Sequence, residues 1–143
     1  MRVKAPLAIL NLLLAALFGM FAWMQRNDID PAIYDHPSVI DAALWFAFYL
    51  LVAVLFVVVS LRSVPKWILA LAAIACLAEM LRTGPGLYEN VFGEKDFTMT
   101  QMSMSAEDPR VELSREFFGA VIALAGVGVI AWENRRSLAK SQP

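Results

Sequence analysis

The sequence is poor in the residues that build most catalytic and metal centres. It contains one cysteine, Cys76, and one histidine, His36. One cysteine excludes an internal disulfide and any multi-cysteine zinc or iron–sulfur site, and one histidine excludes a His-rich metal centre. No nucleophile stands beside a base partner, and no glycine-rich phosphate loop is present. We therefore expect no catalytic residue and no cofactor, and a role other than that of an enzyme is favoured.

Charge is also scarce. Of the 143 residues only 17% are charged, the net charge is -1, and 59% are hydrophobic. Proteins that bind nucleic acid carry a basic excess, so the charge balance does not suggest nucleic-acid binding and we expect no nucleic acid as a partner. Soluble domains are about 45–50% apolar. Together with a mean hydropathy of +0.61, the composition indicates an integral membrane protein of one domain.

Four apolar runs are present. Runs of about 20 residues cross a hydrocarbon core of roughly 30 Å as helices. The sequence therefore predicts an all-α, four-transmembrane-helix bundle in a single domain, residues 1–143. The predicted helices cover about 5–24, 42–61, 65–82 and 109–134, and the outer loops cover 25–41 and 83–108. The first run lacks a small-x-small cleavage site, so we interpret it as a helix and not as a signal peptide.

The basic residues are distributed unevenly along the chain. The two termini and the turn between the second and third predicted helices are basic. Glu133 is their only acid, and their bases are Arg2, Lys4, Arg62, Lys66, Arg135, Arg136 and Lys140. The two outer loops and the helix ends beside them carry five bases and the other twelve acids. Short loops rich in Lys and Arg stay in the cytoplasm. We expect both termini to be cytoplasmic, in a bacterial inner membrane with the acidic loops on the periplasmic side.

Small residues form stripes on three of the predicted helices, and these stripes become polar toward the acidic side. We predict a polar cluster there, formed by Asn27, Asp28, Asp30, Glu79, Arg82, Glu112, Arg115 and Glu116. One interpretation is a network of ion pairs, with Asp28 or Asp30 within about 4 Å of Arg82 or Arg115. The other is a site for a cation or an anionic head group. The need of ionisable groups near a membrane for partners favours the network.

The second predicted helix differs from the other three. It has no small-residue stripe and is bulky on every side. Since small residues let membrane helices approach closely, we expect this helix to face lipid or a partner. The tryptophans fall near the predicted bilayer boundaries, where we expect them to be interfacial anchors; they are Trp23, Trp45, Trp67 and Trp132.

The second outer loop contains a methionine motif. Met99, Met102 and Met104 form Met-x-x-Met-x-Met, and His36 lies in the other outer loop. Thioethers bind Cu(I), and His36 could add a ligand. The alternative is that the methionines pack the loop onto the membrane surface or a partner.

Three short motifs are also present. Directly after the first run, Gln25, Asn27, Asp28, Asp30 and Pro31 form Gln-x-Asn-Asp-x-Asp-Pro. Trp45 and Tyr49 form Trp-x-x-x-Tyr in the second helix. At the start of the last helix, Glu112, Arg115, Glu116 and Gly119 form Glu-x-x-Arg-Glu-x-x-Gly. Together these motifs resemble those of the transmembrane protein 220 family. An insertion of about a dozen residues, 32–44, separates the first motif from the second. The resemblance implies a small four-helix membrane protein whose biochemical role is not established.

Two functions are consistent with these features. The first is a non-enzymatic accessory, structural or assembly subunit that contacts other membrane protein subunits and the lipid bilayer. The alternative is a metal-ion binding or small transport protein that takes Cu(I) or a divalent cation at the acidic side. A membrane-embedded enzyme is the third function that we consider. Its only plausible acid–base or metal-holding groups are Asp28, Asp30, Glu112 and Glu116.

Overall fold

The computed structural model describes residues 5–31, 38–100 and 108–139, the last three of these as backbone only. These ranges are helical throughout their regular structure. The helices are α1 (Ala5–Met24), which continues into a short 3-10 helix (Gln25–Ile29), α2 (Val39–Leu61), α3 (Lys66–Phe92) and α4 (Arg110–Ala139). All four α-helices are long and apolar enough to cross a membrane. The protein is therefore an integral membrane protein, as its composition predicts.

The first residues of α2 show how the sequence sets a helix start. The Ser38 side chain accepts a hydrogen bond from the Asp41 backbone N–H at 3.2 Å. This contact satisfies one of the N–H groups that have no partner inside the helix. The helix consequently begins at Val39, three residues before the predicted start, and Asp41 lies in its first turn.

The predicted loop over 83–108 is wrong for its first ten residues. Helix α3 continues beyond Arg82 to Phe92, although Pro85 lies inside it. Proline there removes one hydrogen bond, and glycine weakens a helix. Gly86, however, is buried, and a side chain at this position would overlap with Leu113 of α4. The glycine thus permits a close contact between α3 and α4, whose packing outweighs the poor helix propensity.

The helices form two antiparallel pairs. Helices α1 and α2 pack along one another, and so do α3 and α4, while the packing of α2 against α4 joins the pairs. The join is tight because α4 has small residues where α2 is bulky. The rings of Phe18 and Phe56 stack with centroids 5.8 Å apart, and both lie against Gly126.

The prediction that α2 is the helix more exposed to lipid or a partner is wrong, although one of its faces is exposed. In its most apolar window 44% of the residues are buried, against 17% in α1 and 22% in α3. Trp45 is also buried and packs on Tyr49 with ring centroids 5.4 Å apart, so it is not an interfacial anchor. The large side chains of α2 fill the space between α1 and α4. The sequence pattern showed the size of these side chains and the small residues of α4, but not that the two lie opposite each other.

Two neighbouring glycines of α3 provide a matched test of this packing. We expect Gly86→Ala to destabilise the protein by about 1–3 kcal/mol, because the new Cβ would meet the Cβ of Leu113 and no rotamer can relieve that contact. Gly84→Ala should be neutral or stabilising by up to about 1 kcal/mol, since its nearest neighbour, a Phe117 ring carbon, lies 3.9 Å away. Thermal unfolding in detergent measures both. Equal destabilisation by the two alanines would contradict the close contact.

Candidate functional site

Arg82 is the centre of the polar cluster at the acidic end. Its Nε lies 2.7 Å from Glu79 Oε2, and its Nη2 lies 2.9 Å from Glu116 Oε2 and 3.7 Å from Asp41 Oδ1. These partners come from α3, α4 and α2, respectively. We call Asp41, Glu79, Arg82 and Glu116 the Arg82 cluster. It links three of the four helices through a single guanidinium group.

The cluster differs from the predicted one in its partners. Arg82 also pairs with Asp41, which the sequence did not place in the cluster and which the earlier start of α2 brings to this end. The expected pair of Asp28 or Asp30 with Arg82 or Arg115 stays a prediction. Asp28 lies close enough to Glu112 for their charges to interact, and Asp28 and Asp30 have other contacts. Asn27 and Arg115 are exposed, and Arg115 is not among the ion-paired arginines of the described residues.

The balance of charge in the Arg82 cluster suits an ion-pair network. Only 16% of the Glu116 side chain is exposed, while 45% of the Arg82 side chain is exposed. A carboxylate this buried requires a partner, and Arg82 supplies two of its N–H groups to the surrounding acids. Across the described ranges, no group of three His, Cys, Asp or Glu side chains is arranged to hold a metal ion.

Two of the sequence motifs meet beside this cluster. The hydroxyl group of Tyr49, from Trp-x-x-x-Tyr, lies against Gly119, the last residue of the α4 motif, so closely that a side chain at Gly119 would overlap with it. Glu116, in the same α4 motif, binds Arg82 one turn away. The motif residues therefore fix how α2 and α4 pack and where the Arg82 cluster forms.

A second polar network, which the sequence did not reveal, lies further along α3. The Asn90 side chain is fully buried and uses all its hydrogen-bonding groups. Its Nδ2 donates to the Thr98 carbonyl at 2.7 Å and to Ser114 Oγ at 2.9 Å. Its Oδ1 accepts from the Thr98 N–H at 3.2 Å and from Arg110 Nη1 at 2.7 Å. One feature of the sequence pointed to this network: Arg110 and Ser114 are four residues apart and therefore share a face of α4.

The Asn90 network is closed at the surface by Asp108. Its carboxylate accepts from Lys95 Nζ at 2.8 Å and lies 3.2 Å from Arg110 Nε. The hydrogen bond from Lys95, with a further contribution from Arg110, lowers the pKa of Asp108 below its ordinary value. Asp108, which lies just before α4, therefore connects Lys95, just after α3, with Arg110 at the start of α4.

The methionine motif falls largely outside the described residues. Met99 is partly buried next to Thr98. Met102, Met104 and His36 lie outside the described ranges, so the copper site stays a prediction.

The fold and these networks define a class: a four-helix integral membrane protein whose acidic end is held together by ion pairs and a buried asparagine. The family described as Transmembrane family 220, helix, matches residues 17–132. The chain therefore belongs to transmembrane family 220, as its motifs suggested. No curated protein matches the chain, and no solved structure matches it.

The importance of Arg82 can be measured against that of Arg115. We expect Arg82→Gln to lower the free energy of unfolding by about 1–2 kcal/mol, because it leaves Glu116 among like charges. Arg115→Gln should change it by no more than about 0.5 kcal/mol, since the exposed side chain is outside the ion pairs. Both values come from thermal unfolding in detergent. A larger loss for Arg115→Gln would show that Arg82 is not the centre of the cluster.

Asp108 should make stability depend on pH. Because its pKa is lower in the folded state, its charge contributes stability above its unfolded pKa of roughly 3.9, and the contribution is lost as pH falls through the folded value. The difference in Tm between the wild type and Asp108→Asn should be constant above about pH 5 and shrink below about pH 4. A difference that persists at the lowest pH would contradict the pairing with Lys95.

Proposed function

We propose that the protein is a non-enzymatic accessory subunit that associates with another membrane protein through the outer end of α3. The proposal depends on one observation, an exposed aromatic surface beyond the membrane-embedded part of this helix. Tyr88, Val91 and Phe92 form this surface, which we call the α3 tip.

The length of α3 places its tip outside the hydrocarbon layer. At about 1.5 Å per residue the 27 residues of α3 reach roughly 40 Å, while the hydrocarbon core is roughly 30 Å thick. The charges of Glu79 and Arg82 mark the boundary at the acidic end. Tyr88 and Phe92 follow Arg82 by about 9–15 Å along the helix. This distance puts the tip at the level of the lipid head groups or beyond them.

The α3 tip has the composition of a protein interface. Tyr88 is 67% exposed and Phe92 is 71% exposed, and their ring centroids are 5.1 Å apart. Their spacing of four residues, with Val91 between them, places all three on one face. Tyr and Phe are enriched at the centres of protein interfaces, where they bury a large apolar area. Outside the hydrocarbon layer an exposed apolar surface of this kind marks an interaction site, and a protein partner would bury it more completely than lipid head groups.

The charge distribution supports a particular orientation of this subunit. The basic segments stand at the end where α1 begins and α4 ends, and the Arg82 cluster and α3 tip are at the other end. By the positive-inside rule the basic end is cytoplasmic. The partner would then meet the α3 tip on the periplasmic side of a bacterial inner membrane.

Site-specific photo-crosslinking in native membranes tests the proposal. A photoreactive phenylalanine analogue at position 88 or 92 should give a discrete adduct that contains a second membrane protein. The same analogue at Glu89 is the matched control, because Glu89 is exposed but lies beside Gly86 and Leu113, on the side of α3 that faces α4. We expect position 89 to give at most a weak adduct.

A pair of serine substitutions distinguishes protein binding from anchoring in the lipid head groups. Tyr88→Ser with Phe92→Ser should abolish co-purification of the crosslinked protein and leave the Tm of the chain in detergent within about 2 °C. Crosslinks to lipid alone at positions 88 and 92 would contradict the proposal and assign the tip to the aromatic belt of the membrane.

A further inference from the structure

A buried acid lies at the basic end of the bundle, far from the Arg82 cluster. Glu133 of α4 is 4% exposed and Asn11 of α1 is fully buried. Asn11 Nδ2 donates to Glu133 Oε2 at 2.8 Å and to Ser60 Oγ of α2 at 3.0 Å. Three helices thus bring a carboxylate, an amide and a hydroxyl group together inside the part of the chain that spans the membrane.

The hydrogens of these three groups are fully used. Asn11 donates one amide hydrogen to Glu133 and the other to Ser60. Ser60 donates its single hydroxyl hydrogen to the Phe56 carbonyl at 3.1 Å. Two buried oxygens, Asn11 Oδ1 and Glu133 Oε1, have no hydrogen-bond partner among the described residues. Leaving buried acceptors unsatisfied is costly, and more so when one belongs to a carboxylate.

The negative charge of Glu133 has no basic partner within the described ranges. None of the ion pairs of the Arg82 cluster and of Asp108 involves Glu133. Arg136 lies one turn from Glu133, but it is exposed and its guanidinium stacks on Trp132 at 3.9 Å from the ring centroid. Arg62, Lys66 and Arg135 are exposed as well. Ionisable residues inside membrane proteins are rare and pair with one another or belong to ion and ligand pathways, so an acid without a basic partner is a candidate functional site.

We infer that Asn11, Ser60 and Glu133 form a binding site for one small monovalent cation of the Na⁺ type. Carboxylate, amide and hydroxyl oxygens are the ligands that hard cations prefer. One carboxylate balances one positive charge, whereas a divalent ion would leave an excess charge in a medium of low dielectric constant. Asn11 lies about 9 Å along α1 from its first residue, and Ser60 is next to the last residue of α2. The site is therefore close enough to the basic end for an ion to enter there.

The test uses the purified full chain in detergent, with Na⁺ as the probe. Tm is measured at neutral pH and equal ionic strength in NaCl or in N-methylglucamine chloride. The wild type should show a saturable rise of roughly 5 °C with NaCl. Equilibrium binding of radioactive Na⁺ should approach one ion per chain. Identical Tm values in the two salts, without bound Na⁺, would overturn the inference. This comparison uses the wild-type chain alone.

Substitution of Glu133 then assigns the ion to this site. Glu133→Gln removes the charge and brings an amide that can donate to Asn11 Oδ1, so we expect it to lose both the NaCl response and the bound ion. Glu94→Gln, at an exposed position of the outer connection, is the matched control and should keep both. An unchanged response in Glu133→Gln would place the ion elsewhere and overturn the inference. A rise in Tm on acidification without Na⁺, with no further rise when Na⁺ is added, would show a proton in place of the ion.

Discussion

The packing of α2 against α4 is the interaction on which the rest of the structure depends. It joins two helix pairs that would otherwise be separate hairpins, and it does so by placing large side chains against glycine. Tyr49 contacts Gly119, and Phe56 lies against Gly126. At the basic end Asn134 of α4 holds the turn after α2 through two 2.8 Å hydrogen bonds with the backbone of Val64. The Arg82 cluster and the Glu133 site lie on this seam, because α2 and α4 each contribute a group to both, whereas the Asn90 network lies between α3 and α4.

The Arg82 cluster and the Glu133 site balance their charges differently. In the Arg82 cluster, three carboxylates surround a guanidinium group that remains 45% exposed. Solvent and ion pairing together therefore stabilise its charge. At Glu133 the burial is nearly complete and only neutral groups donate hydrogen bonds. The first arrangement suits a structural junction between helices. The second retains two acceptors for a positively charged ligand, and this difference is why we assign binding to the basic end and not to the more acidic one.

Much of the fold could be read from the sequence, since burial in lipid requires long apolar runs and a helix satisfies its own backbone. The first helix has the predicted bounds, and the family motifs pointed to residues that do meet, such as Tyr49 and Gly119. The Asn90 network could not be foreseen, because its partner groups come from two other stretches of chain, Thr98 and the first residues of α4. Nor could the contact of Arg82 with Asp41, because it depends on the true start of α2.

The sequence by itself determined that the chain crosses a membrane four times, that its two ends differ in charge, and to which family it belongs. Only the tertiary structure decided which helix is central, where α3 ends, and which polar groups pair. The physical reason is that the number of spans depends on the local hydropathy of each segment. Packing depends on which side chain stands opposite which small residue. A bulky helix such as α2 therefore looks lipid-facing until Gly119 and Gly126 of α4 are placed against it.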